Sequence, residues 1–134
     1  MTLLNAVSRS ETEAWDDERE SVVRDFLALL NDGAVDEMLP FLHPNIVFRS
    51  TTARTVSGRL AVLDACEQFR AAYDDSTFSL INIAVTREVV LVEQIQRFRM
   101  SGSPEVHWQL SFASFRVESH QITGWHQLLG SPNT

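Results

Sequence analysis

The sequence predicts an α+β domain in which three N-terminal helices pack on a curved antiparallel sheet. Apolar residues with helical spacing are gathered early, with Trp15, Val22, Phe26 and Leu29 or Leu30 on one stripe. Four stretches of strand character then follow one another, over 78–85, 89–100, 106–117 and 122–129. The links between them are a few residues long, which requires antiparallel neighbours. Helices first and strands afterwards place the helices on one face of the sheet. A concave sheet roofed in this way leaves a pocket.

Each element has its own signals. Residues 1–9 read as an arm, and Ser10-Glu11-Thr12-Glu13 has the spacing of a capping box that would start the first helix. Asn31-Asp32-Gly33 ends that helix, with Gly33 suited to a left-handed position. A short second helix turns Val35, Met38, Leu39 and Leu42 inward, and His43-Pro44 stops it, because the residue before proline disfavours helical dihedrals. His43 is placed to favour the dipole at that helix end. The β-branched and aromatic run 45–50 reads as a short strand. The polar stretch 51–57 reads as a loop or minor hairpin. Gly58-Arg59 leads into a third helix carrying Leu60, Leu63, Phe69 and Tyr73 at helical spacing, closed by Asp74-Asp75-Ser76.

With 134 residues the chain is one domain. Its expected division is an arm and first-helix start over 1–20, the domain proper over 21–130 and a tail over 131–134. A net charge of −7 argues against nucleic acid or an anionic membrane as partner. The single cysteine, Cys66, excludes an internal disulfide and a cysteine metal cluster, and fits a reducing, cytoplasmic setting. No apolar run approaches the roughly 18 residues that span a bilayer. The first residues are too polar for a signal peptide. No metal-ligand spacing occurs, and no cofactor is expected.

The most informative stretch is 89–100. Strand alternation puts Val92, Gln94, Gln96 and Phe98 on one face and Glu93, Ile95, Arg97 and Arg99 on the other. Two amides in a mostly apolar row need partners, since a buried amide left unsatisfied costs roughly 1–3 kcal/mol. Either that face lines a cavity or both amides are hydrogen-bonded.

In order along the chain, 22–31 (Val-Val-Arg-Asp-Phe-Leu-Ala-Leu-Leu-Asn), 42–48 (Leu-His-Pro-Asn-Ile-Val-Phe), Ser57-Gly58-Arg59 and Ile122-Thr123-Gly124-Trp125 resemble the NTF2-like superfamily. This is the α+β, cystatin-like cone shared by ketosteroid isomerases, SnoaL-type cyclases and limonene-1,2-epoxide hydrolases, and the likeness covers roughly 20–130. The epoxide-hydrolase branch is the most similar. Its Glu-Arg-x-Asp and Trp-Arg-Asp motifs supply an Asp–Arg–Asp set that activates water and protonates the epoxide, aided by a Tyr and an Asn. Carried onto this sequence, the motif's Glu is matched by Glu93. Its Arg falls on Gln94, its two Asp on Gln96 and Gln127, its Tyr on Phe48 and its Asn on Ser50. An amide cannot serve as a base near neutral pH, so the resemblance implies a frame without that water-activating chemistry. Three glutamines can form a neutral network in its place.

The ketosteroid-isomerase route requires a carboxylate where Ser50 stands, and the sole tyrosine, Tyr73, lies elsewhere. A SnoaL-like route would use His107 or His126 with a carboxylate such as Glu93. With Gln127 inward, alternation turns His126 outward; His120 reads as a turn residue. The expected ligand is a small, mostly neutral hydrophobic molecule, contacted by Phe48, Ser50, Gln94, Gln96, Trp108, Trp125 and Gln127. The alternatives are a hydrolase, isomerase or cyclase built on a pocket histidine, and a dimerisation or scaffold module. Apolar residues on the opposite sheet face, among them Val89, Leu91 and Ile95, suit a sheet-to-sheet homodimer.

Overall fold

The computed structural model describes residues 3–51 and 55–129, with side chains from residue 13 onward. Its elements are α1 (Leu3–Asp32), α2 (Val35–Met38), a 3-10 turn (Leu39–Phe41), β1 (Leu42–Ser50), β2 (Val56–Ser57), α3 (Arg59–Ala71), β3 (Tyr73–Val85), β4 (Val90–Met100), β5 (His107–Glu118) and β6 (Gln121–Leu129). The six strands form one sheet in the order β2-β1-β6-β5-β4-β3. The four long strands are antiparallel to one another, as expected, but β1 lies parallel to β6, so the sheet is mixed. The helices cover one face, giving the α+β cone.

The core lies between helices and sheet. Val23, Phe26, Met38, Leu42, Ile46, Val62, Val90, Phe115 and Ile122 have no exposed surface. Phe26 meets Trp125 edge-on at 5.2 Å between ring centres, and Trp125 stacks on Phe115 at 5.6 Å. Such aromatic pairs add about 0.5–1.5 kcal/mol beyond their buried area.

Several expectations change. Helix α1 already runs from Leu3, so residues 3–9 of the expected arm are helical and Ser10 stands inside the helix rather than at its start. The Ser10 side chain lies outside the described residues. Trp15 is 69% exposed and so is not packed with the rest of its stripe. Helix α1 is tied to the β3–β4 turn by Arg19, which donates to the carbonyls of Thr86 at 3.0 Å and Arg87 at 3.3 Å. Gly33 is left-handed (φ 72°) and closes α1 as expected. The chain becomes extended at Leu42, three residues before the expected strand. Pro44, which has no N–H to donate, sits where the β1–β6 register breaks between Leu42 and Val47. The imidazole of His43 accepts from the Asn45 N–H at 3.0 Å instead of serving a helix end. On α3 the buried face is Val62 and Cys66, and Leu60 is 71% exposed. Tyr73 and Asp74-Asp75-Ser76 belong to β3 rather than to the end of α3.

The tightest turn joins β5 to β6. Ser119 (φ 49°) and His120 (φ 67°) are both left-handed, the pattern of a two-residue hairpin loop whose twist matches its strands. His120 is therefore the turn residue its position predicts. No helix among the described residues is long and apolar enough to cross a membrane.

Candidate functional site

The concave face of the sheet changes character along its strands. One row across the sheet runs Phe48, Trp125, Phe115 and Val90. The next runs Ser50, Gln127, Ala113 and Val92. Beyond these, Ser111 pairs with Gln94 and Gln109 with Gln96. Aromatic and aliphatic residues under the helices thus give way to amides and hydroxyls in about two residues.

Every one of these amides is buried: Gln94, Gln96, Gln109 and Gln127 are all 9% exposed or less. Gln109 donates to Gln96 Oε1 at 2.5 Å, and Gln96 donates to Ser76 Oγ at 2.9 Å. In a second group, Trp125 Nε1 donates to Gln127 Oε1 at 3.1 Å. Gln127 Nε2 donates to Ser111 Oγ at 2.5 Å and to the Phe112 carbonyl at 3.4 Å. Among the described residues no buried side-chain nitrogen or oxygen lacks a partner. Gln96 thus has the hydrogen-bond partners a buried amide needs, and the concave face it shares with Gln127 borders a cavity.

That cavity has a volume of about 370 Å³ and opens between α3 and the β1–β6 end of the sheet. Phe48, Val56, Phe69, Phe78 and Leu129 give it apolar walls. Its polar groups are Ser50, Gln68, Gln127 and the Cys66 thiol. Burial, with a smaller contribution from the nearby Glu67 carboxylate, pushes that thiol from 9.0 up to about 12. It is uncharged at neutral pH and a poor nucleophile.

Of the seven residues expected at the site, Phe48, Ser50, Trp125 and Gln127 line the cavity. Gln94 and Gln96 lie on the same concave face, deeper along β4, and do not line it. Trp108 is a correction. It is 47% exposed on the outer face, with Arg97 above its ring at 6.0 Å. Strand β5 buries its odd-numbered residues, so Gln109 and Ser111 take the interior places. The alternation that identified Gln94 and Gln96 on β4, applied to β5, identifies this second polar pair.

The remaining candidates stand apart from the cavity. Glu93 faces outward and accepts from Asn82 Nδ2 at 2.8 Å. His126 is exposed opposite Ser114. His107 shares the inner face of β5 but stacks on Phe98 at 5.4 Å, at the far end of the strand, with Glu105 at 3.5 Å. No cluster of three or more histidine, cysteine, aspartate or glutamate side chains that could hold a metal occurs among the described residues.

A helix-roofed, curved sheet with an apolar cavity at its concave end is the architecture of the NTF2-like fold. The chain belongs to the SnoaL-like domain family, whose pattern matches residues 23–125. A candidate polyketide cyclase from Xanthomonas campestris shares 18% identity, over 84% of this chain and 90% of that one, with a TM-score of 0.74. An LEH-like epoxide hydrolase from M. tuberculosis shares 16%, over 86% and 84%, with the same TM-score. An NTF2-like protein from Anabaena variabilis shares 14%, over 87% and 92%, at 0.76. No curated protein sequence matches the chain significantly.

Proposed function

We propose that this domain binds a small, neutral, largely hydrophobic molecule and lacks the acid–base chemistry of the epoxide hydrolases it resembles. The observation that carries this reading is the composition of the cavity wall. Among the described residues lining it there is no carboxylate, histidine or arginine, and its one ionisable group, Cys66, is held as a neutral thiol. Proton transfer to or from a bound molecule needs a group that titrates near the working pH. Amides and hydroxyls do not, but they orient a ligand well. By the resemblance to the epoxide-hydrolase motif, Gln94, Gln96 and Gln127 take the places of its Arg and two Asp and bring no charge, and Gln96 and Gln127 are hydrogen-bonded there.

The reading is tested by titrating the protein with limonene, borneol, camphor and p-cresol, following heat by calorimetry and melting temperature by thermal shift. Saturable one-to-one binding of at least one of them is expected, with no turnover of limonene-1,2-epoxide. Hydrolysis of that epoxide that disappears in Gln96→Ala would overturn the proposal, as would the absence of binding by all four.

A second copy of the chain is the partner we propose for the outer sheet face. Leu91, Trp108, Leu110, Phe112 and Leu128 are exposed there together. A contiguous apolar face of this kind on a sheet is suited to a two-fold, self-complementary contact.

A further inference from the structure

Resting on the binding reading above, we infer that the cavity selects ligands carrying a hydrogen-bond donor, such as a neutral alcohol or phenol, over acceptor-only ketones, ethers and epoxides. Gln127 sets this preference. A primary amide can present either its oxygen or its nitrogen to a ligand, and which it presents depends on its neighbours. Here both neighbours have fixed polarity. The indole N–H of Trp125 can only donate, and it lies 3.1 Å from Gln127 Oε1. The Phe112 carbonyl can only accept, and it lies 3.4 Å from Gln127 Nε2. Turning the amide over would set N–H against N–H and oxygen against oxygen, so the orientation is locked.

The donors are then used up. An amide nitrogen carries two protons. One goes to Ser111 Oγ and the other to the Phe112 carbonyl. The oxygen has two acceptor positions, of which Trp125 takes one. The direction is also set. Trp125 and Gln127 line the cavity, whereas Ser111 lies behind the amide and does not. The nitrogen side of Gln127 thus faces the sheet, and the oxygen side, beside the indole, faces the ligand space. What the floor of this apolar cavity offers is one fixed acceptor.

The other polar groups of the wall do not offset that preference. Gln68 is exposed at the rim and donates to Asp64 at 2.9 Å. The Ser50 hydroxyl can donate or accept and so discriminates neither way. The Cys66 thiol is a weak donor. A ligand hydroxyl directed at Gln127 Oε1 completes its second acceptor position. A carbonyl, ether or epoxide oxygen in the same place faces another lone pair, having lost its own water.

The test compares matched pairs by titration calorimetry: borneol with camphor, and p-cresol with 4-methylanisole. In the wild type the hydroxyl compound of each pair is expected to bind about tenfold more tightly, the value of one net hydrogen bond at the upper end of its usual range. In Gln127→Met the cavity keeps its shape without the acceptor, and each pair should come within about twofold. Trp125→Phe removes one of the two groups of fixed polarity beside the amide. The Phe112 carbonyl still holds the Gln127 nitrogen, so the hydroxyl compounds should keep their advantage in this variant. A change of cavity shape alone would act on both members of a pair alike. Equal affinities within the wild-type pairs, tighter binding of the acceptor-only partners, or binding of limonene without any tighter binding of the hydroxyl compounds overturns the inference and leaves the binding module standing. Failure of limonene and all four paired compounds to bind removes the binding reading, and the inference with it. The wild-type comparison decides the matter even if neither variant folds.

Discussion

Cys66 shows how one buried side chain can be read through the stability of the whole. Its thiol is held at about 12 against 9.0 for an ordinary cysteine, chiefly by loss of water. The folded state therefore keeps its proton between those two values while the unfolded chain gives it up. Stability is full below pH 9 and falls as pH rises toward 12. Between pH 8 and pH 11 the wild type should lose on the order of 2–3 kcal/mol through this group. All eleven basic residues are arginine, so no lysine titrates in that window. Urea unfolding at the two pH values should show the loss in the wild type, and Cys66→Ala should lack most of it. Equal slopes in the two proteins would mean that the thiol is not shielded. At this scale the sequence was a partial guide. The inward set of Gln94, Gln96 and Gln127 follows from period-two alternation on β4 and β6. Trp108 does not, because its large apolar ring suggested an interior place that the parity of Phe115 on the same strand denies it. Gln109 and Ser111 occupy the face that Trp108 leaves.

Among the elements, β3 depends most on a contact that no local pattern reveals. It is the outer strand of the sheet, so half of its backbone groups have no strand to pair with. Asn31, near the end of α1, supplies a substitute. Its amide donates to the Phe78 carbonyl at 2.7 Å and its oxygen accepts from the Phe78 N–H at 2.8 Å, as a neighbouring strand would. Asn31→Ala should destabilise the protein by about 1–3 kcal/mol, since both Phe78 groups are part-buried. Hydrogen exchange should show faster loss of the Phe78 amide, with the Phe26–Val23 turn of α1 unchanged; unaltered protection at Phe78 would refute the clip. The sequence assigned Asn31 only the task of ending a helix, because a contact across 47 positions leaves no trace in periodicity. The same limit explains the start of β3. Phe69 and Tyr73 are four residues apart and touch, with ring centres at 4.9 Å, as two residues on one helix face would. Yet the chain has already left α3 at Ala71, and Tyr73 reaches Phe69 from the first position of a strand. The four long strands, in contrast, were legible to within a few residues at most of their ends. Only the beginning of β3 was hidden under a pattern that fitted both states.

At the scale of the whole molecule the two sheet faces set a division of labour. The inner face is closed by helices and carries the cavity; among the described residues no element covers the outer face. Its apolar residues alternate with arginines, but those charges are partly neutralised where they stand. Arg97 meets Asp75 at 2.9 Å, and Arg116 lies 3.5 Å from Glu88. A second copy laid on this face across a two-fold axis would bury Leu91, Leu110, Phe112 and Leu128. Sedimentation equilibrium should then give twice the 15.2 kDa of the single chain. Phe112 is the residue to change, because its side chain points away from the core and is 42% exposed. Phe112→Asp should convert the dimer to a monomer while leaving the fold, and with it binding in the cavity, intact. A wild type that sediments as a monomer at tens of micromolar would exclude the second copy. A dimer untouched by Phe112→Asp would move the contact to another surface. Because the cavity opens on the opposite side of the sheet, ligand affinity in the monomeric variant should match the wild type. A large loss there would mean that the outer face steadies the strands from which Trp125 and Gln127 line the cavity.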